Sequence, residues 1–141
     1  MAAPRMLLVV LLLPISLLVA GQKHEPGEIP LPRTSPTSGR QMFRAYCSDC
    51  HGEHGKGDGP VASILKVVPP DLTTLSKRNK GKFPSDRVYK TISGEVTPAA
   101  HGSREMPVWG PVFRDMAKGN KNEAELRMKT LTSFIASLQQ K

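Results

Sequence analysis

The sequence predicts a small all-α domain. Apolar residues recur at helical spacing in segments that begin at Gly39, Ser85 and Asn122, and no segment alternates apolar and polar residues as a half-buried strand does. The chain has 141 residues, which is the usual length of a single domain. It contains only one Trp, two Tyr and four Phe, so a large apolar cofactor would supplement a thin protein core.

The first 21 residues are typical of a secretory signal peptide. Arg5 is followed by an almost unbroken apolar run from Met6 to Val19, and small residues offer a cleavage site near residues 20–21. The run is short for a membrane span, which needs about 20 apolar residues. Cleavage is therefore favoured over an uncleaved anchor in the inner membrane, and we expect an exported, periplasmic protein. Gln22 stands where a lipoprotein would have its lipidated cysteine, which argues against lipidation.

Residues 22–38 predict a flexible linker, because four prolines and no hydrophobic period occur there. Residues 39–141 then form the domain. Within it, Gly39 to His51 predicts a first helix, since Met42, Phe43 and Tyr46 share one face. The glycines of 52–60 predict a loop.

The rest of the chain predicts two more long helices and short connections. Ser85–Ser93 would be a helix that Ser85 caps and Gly94 ends. Asn122–Gln139 would be the last helix, with Asn122 and Glu125 as a capping box. The remaining expectations are a short helix over 61–68, a basic loop over 77–82 and a loop over 94–111.

The most informative motif is Cys47-Ser48-Asp49-Cys50-His51. On a helix the positions i, i+3 and i+4 lie on one face, so Cys47, Cys50 and His51 point the same way. Two thiols can then add to the two vinyl groups of one haem, and the imidazole can reach its iron. This spacing is the signature of c-type haem attachment.

Three other interpretations of the two cysteines remain open. A thioredoxin-like pair needs a βαβ context, which the sequence lacks. A zinc site would need further ligands such as His54 and His101, but no second Cys-x-x-Cys or paired-histidine motif completes it. A plain disulfide is the third, since the chain is predicted to be exported.

Two strings resemble the class I c-type cytochromes, here of the monohaem, exported bacterial type. Gly39-x-x-x-Phe43-x-x-x-Cys47-Ser-Asp-Cys50-His51-Gly52 resembles the family's first helix, and Leu131-Thr-Ser-Phe134-Ile135-Ala-Ser-Leu138 resembles its last. The resemblance implies that these helices cross where Gly39 meets Phe134, with loops wrapped round one covalent haem c. It covers residues 39–141.

A sixth iron ligand is expected opposite His51, and methionine in that position raises the potential. Met106 lies in Met106-Pro107-Val108-Trp109-Gly110, which resembles the family's ligand loop. Its rivals are Met116, Met128, His54 and His101, of which His101 is the most credible because it is near Met106 in sequence.

The resemblance also implies contacts around the haem. The carbonyl of Pro60 would accept a hydrogen bond from His51, and Leu72 would pack on the ring. Trp109 would cover the rim and donate to a propionate, although ordinary packing explains it equally well.

The expected function is one-electron transfer in an exported respiratory or redox chain, without an enzymatic reaction of its own. The alternative is a haem c subunit, enzyme or sensor with an exchangeable sixth ligand. The formal net charge of +8, which loss of Arg5 lowers by one, suggests redox partners with acidic docking surfaces. Lys77, Arg78, Lys80 and Lys82 would be a docking patch or simply a solvated loop. No basic run with interleaved aromatics indicates nucleic acid, and a membrane would be met only through the N-terminal segment or a membrane complex.

Overall fold

The computed structural model describes residues 31–96 and 106–140, and its regular elements in these ranges are all helical. The predicted all-α class is therefore confirmed. The α-helices are α1 (Gly39–Tyr46), α2 (Ser48–His51), α3 (Leu75–Arg78), α4 (Ser85–Ser93), α5 (Trp109–Met116) and α6 (Lys121–Ser137). Two short 3₁₀ helices cover Ala62–Ile64 and Leu72–Thr74.

The first predicted helix is divided at Cys47. The residue has φ −120° and ψ −31°, which ends α1, and α2 begins at Ser48. The Ser48 hydroxyl donates to the carbonyl oxygen of Arg44 at 2.6 Å, and that carbonyl is the one a continuous helix would offer to the backbone N–H of Ser48. Competition between a side chain and the backbone for one carbonyl explains the break.

Helices α1 and α6 cross closely, as the sequence predicted. A Cβ on Gly39 would lie 2.5 Å from the Thr130 carbonyl oxygen and 2.6 Å from Cβ of Phe134. The Phe43 and Phe134 rings follow on the same face, with centroids 5.3 Å apart. Because glycine removes the side chain at the crossing, the two backbones approach and the aromatic rings fill the space beside it.

The start of α6 differs from the predicted capping box. Its N-cap is Asn120, whose side chain accepts from the backbone N–H of Glu123 at 3.3 Å, and the helix runs from Lys121 to Ser137. The turn before it explains the shift, because Lys118 adopts a left-handed φ of 49° and returns the chain at Asn120. Asn122 and Glu125 are exposed residues within the helix.

Helix α5 lies where the sequence predicted a loop over 94–111. Trp109, Val112, Phe113 and Met116 stand at i, i+3, i+4 and i+7, and Trp109 and Phe113 are buried. Pro111 is in the first turn, where its missing N–H costs no helical hydrogen bond.

The shorter elements are partly as predicted. The helix Ser85–Ser93 has the predicted bounds and ends at Gly94 with φ 85°, but its N-cap is Pro84 and no side chain caps it. Only Ala62–Ile64 of the predicted 61–68 helix is helical. Helix α3 covers the start of the predicted basic loop, ending at Arg78.

The ordered domain extends beyond its predicted start at Gly39. We call Pro32–Thr34 the N-terminal strap. Thr34 is buried, and the Thr34 and Pro32 oxygens hydrogen-bond to side chains of α1 and α6. Part of the predicted 22–38 linker therefore packs on the helices.

The core lies between α1, α4, α5 and α6. Its largest fully buried side chains are Met42, Phe43, Phe113 and Leu131. Within the described ranges, no helix combines the length and the apolar character that crossing a membrane requires.

Candidate haem site

Backbone hydrogen bonds bring Cys47, Cys50 and His51 onto one turn of chain. The N–H groups of Cys50 and His51 donate to the carbonyl oxygen of Cys47, at 3.2 Å and 2.8 Å. The two sulfurs are not joined in a disulfide, and both cysteines are partly buried. The three side chains that the motif singled out are thus held within a single turn.

Both thiols are neutral at physiological pH. Burial raises the pKa of Cys47 to about 12, with a further increase from Cys50. Burial also raises the pKa of Cys50, and the Asp49 carboxylate adds to the effect. Raised thiol pKa values disfavour the thiolate form that a redox-active pair requires.

The orientation of His51 is fixed by a carbonyl. His51 is buried, and its Nδ1 lies 3.4 Å from the carbonyl oxygen of Pro70. A carbonyl can only accept, so Nδ1 carries the proton in this contact. A metal-ligating histidine has this arrangement, in which one nitrogen binds the metal and the other donates to an acceptor.

The carbonyl oxygen that lies next to Nδ1 of His51 belongs to Pro70, whereas the sequence predicted the carbonyl of Pro60. After α2 the chain turns back on itself: the N–H groups of Gly57, Gly59 and Val61 donate to the carbonyls of His51, Cys50 and Asp49. This return leaves Pro60 exposed at the surface.

The segment around Pro70 then passes over the glycine loop. The Leu72 N–H donates to the Gly55 carbonyl at 2.7 Å, and a Cβ on Gly57 would come within 2.2 Å of the Pro69 carbonyl oxygen. Gly57 also has φ +81°, a conformation that favours glycine. The loop therefore lets the Pro69–Pro70 backbone approach His51.

Leu72 lies on the same crossing segment. It is partly buried against the core, and its carbonyl accepts from Nε2 of Gln139 at 2.7 Å. Leu72 is thus held two residues after Pro70, and its expected packing on a haem stays a prediction.

Met106 differs from the other candidate sixth ligands. It is partly buried against the core, and it is the first residue after positions 97–105, which lie outside the described residues. Met128 is 6% exposed within α6, and Met116 packs in α5 with its Sδ 3.6 Å from the Tyr46 hydroxyl. His54 is exposed, and His101 lies outside the described residues.

The end of α4 lies against the residues that follow Met106. A Cβ on Gly94, the residue that ends α4, would lie 2.1 Å from Cγ1 of Val108, and one on Gly110 would lie 2.3 Å from the Ser93 carbonyl oxygen. We call the Gly94–Val108 contact the loop neck. It fixes one end of the Met106 segment against α4.

Trp109 packs in an aromatic cluster. It is buried, and its ring centroid lies 5.1 Å from that of Tyr46 and 5.9 Å from that of Phe113. These contacts account for its burial, and its expected donation to a haem propionate stays a prediction.

The donor set and the apolar surface fit a haem. One turn carries two neutral thiols and an imidazole that Pro70 orients, and a thioether lies on a separate segment. Ile64, Val68 and Val108 are 81%, 73% and 48% exposed. Ile64 lies in the 3₁₀ helix that contacts α2. Val68 lies two residues before Pro70, and Val108 is the residue before Trp109. A flat apolar cofactor would cover such side chains.

The zinc interpretation gains no support. Among residues 31–96 and 106–140, no group of three or more His, Cys, Asp and Glu side chains is arranged to hold a metal ion. His54, one of the ligands it would need, is exposed in the glycine loop.

An all-α domain with a Cys-x-x-Cys-His turn, an oriented histidine and crossing terminal helices is a c-type cytochrome domain. Residues 34–120 match the model of the family described as cytochrome c oxidase, cbb3-type, subunit III, and the chain belongs to this family. No curated protein and no solved structure is significantly similar to the chain. The family binds haem c and transfers electrons, which confirms the predicted class of cofactor and of function.

Proposed function

We propose that this chain is an exported one-electron carrier with a single haem c. Cys47 and Cys50 would hold the haem covalently, and His51 and Met106 would be its axial ligands. The contact between His51 Nδ1 and the Pro70 carbonyl carries the proposal, because a metal-ligating histidine has such a carbonyl acceptor at its other ring nitrogen.

Covalent attachment needs no oxidant. Each thiol adds across one vinyl group: the sulfur forms a C–S bond to one carbon of the double bond, and the thiol proton ends on the other carbon. The product is a thioether, which does not titrate. Burial of Cys47 and Cys50 as neutral thiols is compatible with this addition.

The bound haem supplies a couple between ferrous and ferric iron, and the chain's own residues keep its surroundings constant. His51 is oriented by Pro70, and the loop neck holds the end of the Met106 segment. A soft thioether opposite an imidazole favours the ferrous form and raises the potential. His51 is oriented by a backbone carbonyl, so its side chain would move little when the electron arrives or leaves.

The basic surface supports a partner with acidic groups. Lys77, Arg78, Lys80 and Lys82 are all exposed, on α3 and the turn after it. Opposite charge on a redox partner would steer encounter and make association faster at low salt.

The export of the protein rests on its N-terminal sequence. Residues 1–21 would be removed, and the residues from Gln22 up to the N-terminal strap would remain as a tether. A second candidate function is that of a fixed subunit in a membrane oxidase, because the matched family is described as subunit III of the cbb3-type cytochrome c oxidase. Co-purification with membranes after cleavage of residues 1–21 would support the subunit, whereas a freely extracted protein would support the carrier.

Production of the full chain in a host with haem-attachment machinery tests the covalent site. We expect one haem per chain that survives denaturation and acid–acetone extraction. Cys47→Ser and Cys50→Ser should each leave a single thioether, recognised in the pyridine haemochrome spectrum, and the double variant should lose its haem on extraction. Asp49→Asn, between the cysteines, is the matched control and should retain both bonds. A wild-type chain without bound porphyrin would contradict the proposal.

The axial methionine has its own test. Met106→Leu should lose the ferric charge-transfer band of methionine ligation and should bind carbon monoxide readily in the ferrous state. Met116→Leu and Met128→Leu are matched controls that should keep the band. If His101→Ala, rather than Met106→Leu, opens the site, His101 is the sixth ligand. Rapid carbon monoxide binding by the wild type would favour an enzyme or sensor.

A further inference from the structure

Tyr46 is held from two sides immediately before the attachment motif. It is the last residue of α1 and the neighbour of Cys47. Its hydroxyl donates to the carbonyl oxygen of Pro32 at 2.7 Å and lies 2.8 Å from Oγ1 of Thr34. Its ring packs on Trp109, with centroids 5.1 Å apart, and on Phe113 at 5.7 Å. One side chain therefore joins the N-terminal strap to α5.

The hydrogen bonds on the strap side form a chain with one consistent direction. Nη1 of Arg127 donates to the Thr34 carbonyl at 2.9 Å and to Oγ1 of Thr34 at 3.2 Å. The Thr34 hydroxyl can then donate to the Tyr46 oxygen, whose own proton goes to Pro32. Thr34 and Arg127 are both buried, so the two bonds between them are shielded from competing water, whereas the bond from Tyr46 to Pro32 is exposed.

This series of hydrogen bonds begins at an ion pair on α6. Nη2 and Nε of Arg127 donate to Oε1 of Glu123, at 2.9 Å and 3.2 Å. The guanidinium side chain is only 8% exposed. Because α6 holds Arg127 and Arg127 holds Thr34, the Tyr46 hydroxyl has a fixed partner.

The ring side leads to the proposed iron ligand. Trp109 is the first residue of α5, and Met106 lies three residues before it. The loop neck holds Val108, between the two, against Gly94. The Tyr46 ring is therefore part of the surface that fixes where α5 begins and where the Met106 segment ends.

We propose that Tyr46 is a positioning residue for the bond between Met106 and iron, and that the N-terminal strap acts on this bond through the Tyr46 hydroxyl. The inference rests on the proposed function, which supplies the methionine ligand. Tyr46 touches neither iron nor a reacting atom in this account. Loosening its ring or its hydroxyl lets the start of α5 move, and the thioether then leaves the iron more often.

Imidazole binding to ferric haem-loaded protein measures this opening. An added ligand binds only when methionine has left, so its apparent affinity rises in proportion to the open fraction. We expect Tyr46→Leu, which removes ring and hydroxyl, to bind imidazole about tenfold more tightly. Tyr46→Phe keeps the ring and should give about a threefold increase. Both should also lose the methionine band at a lower pH than the wild type.

The strap is tested through Thr34→Val, which removes the hydroxyl while it keeps the shape. It should act in the same direction as Tyr46→Phe, and the effect of the double variant should be smaller than the sum of the two single effects, because both single variants remove the bond between Tyr46 and Thr34. If Tyr46→Leu does not accumulate as folded protein, Tyr46→Phe, Thr34→Val and their double variant decide the question.

Tyr89 supplies matched controls, because it is the chain's other tyrosine and also packs partly buried on the core. Tyr89→Phe and Tyr89→Leu should keep the wild-type imidazole affinity and pH profile. Variants of Tyr46 that lower the denaturation midpoint but leave imidazole affinity unchanged would overturn the inference and show a structural role only. Failure of the proposed function would look different, since the wild type itself would then lack the haem or the methionine band.

Discussion

Nδ1 of His51 lies 3.4 Å from the carbonyl oxygen of Pro70, a residue 19 positions further along the chain. The contact exists because the loop after α2 turns back and the Pro69–Pro70 segment crosses it at Gly57. A long-range backbone contact therefore orients a side chain that the local motif only brings to the correct face.

Gly57→Ala should weaken this contact and raise the reduction potential. The new Cβ would lie 2.2 Å from the Pro69 carbonyl oxygen at a residue with φ +81°, so the crossing segment must move. An imidazole without its carbonyl partner is a weaker donor and stabilises ferric iron less. Each tenfold loss of ferric preference corresponds to about 59 mV for one electron.

Spectroelectrochemical titration of haem-loaded protein measures the change. Gly119→Ala is the control, since its φ of +84° imposes the same backbone strain but nothing lies within 4 Å of the added Cβ. An unchanged or lowered potential in Gly57→Ala would show that Pro70 does not act on His51.

Gly94→Ala should open the loop neck, whereas Gly81→Ala should not. The two glycines have φ of +85° and +83°, so their backbone penalties match. Only Gly94 faces a neighbour, with Val108 Cγ1 2.1 Å from its added Cβ. We expect Gly94→Ala to cost about 1–3 kcal/mol more in unfolding free energy and to strengthen imidazole binding. Val108→Ala in the same chain should restore much of both, and absence of rescue would count against the neck.

Arg127→Met should cost far more stability than Lys129→Met, although both residues pair with a glutamate four positions earlier on α6. The Arg127 side chain is 8% exposed and the Lys129 side chain 65%. Loss of the buried guanidinium leaves the Thr34 carbonyl and Glu123 without a donor, at about 2–3 kcal/mol. The exposed pair should contribute little, because water and salt screen it. Guanidinium denaturation of the two variants measures the difference, and equal losses would refute the assigned role of the strap.

Gly39→Ala should destabilise the crossing of α1 and α6 by about 1–3 kcal/mol. The added Cβ would overlap the Thr130 carbonyl and Cβ of Phe134, at 2.5 Å and 2.6 Å. Phe134→Ala in combination should not recover the loss, because alanine keeps the Cβ that the new side chain meets and the Thr130 carbonyl is backbone. A fully stable Gly39→Ala protein in thermal unfolding would mean that the helices can separate without cost.

Local patterns predicted the parts of the fold that local forces decide. The spacing of Cys47, Cys50 and His51 and the bounds of Ser85–Ser93 follow from helical periodicity and from the glycine that ends α4. The crossing at Gly39 followed from family resemblance, since nothing local shows which residue a glycine will face.

The sequence did not predict the Pro70 contact, helix α5 or the roles of Thr34 and Arg127. Most of these features depend on contacts between residues far apart in the chain. Pro60 and Pro70 both follow the attachment motif, and only the return of the chain decides which carbonyl reaches His51. Helix α5 could have been found from the spacing of Trp109, Val112, Phe113 and Met116, but Gly110 and Pro111 favoured a loop. The roles of Thr34 and Arg127 had no signal, because a buried arginine resembles a surface arginine in sequence.

The contact between Gly94 and Val108 also separates the Met106 segment from the rest of the scaffold. This contact lies between the end of α4 and the residue before α5, so it holds the two helices at a set spacing. Sequence changes confined to positions 97–105 should therefore leave the packing of α4 against α5 unchanged.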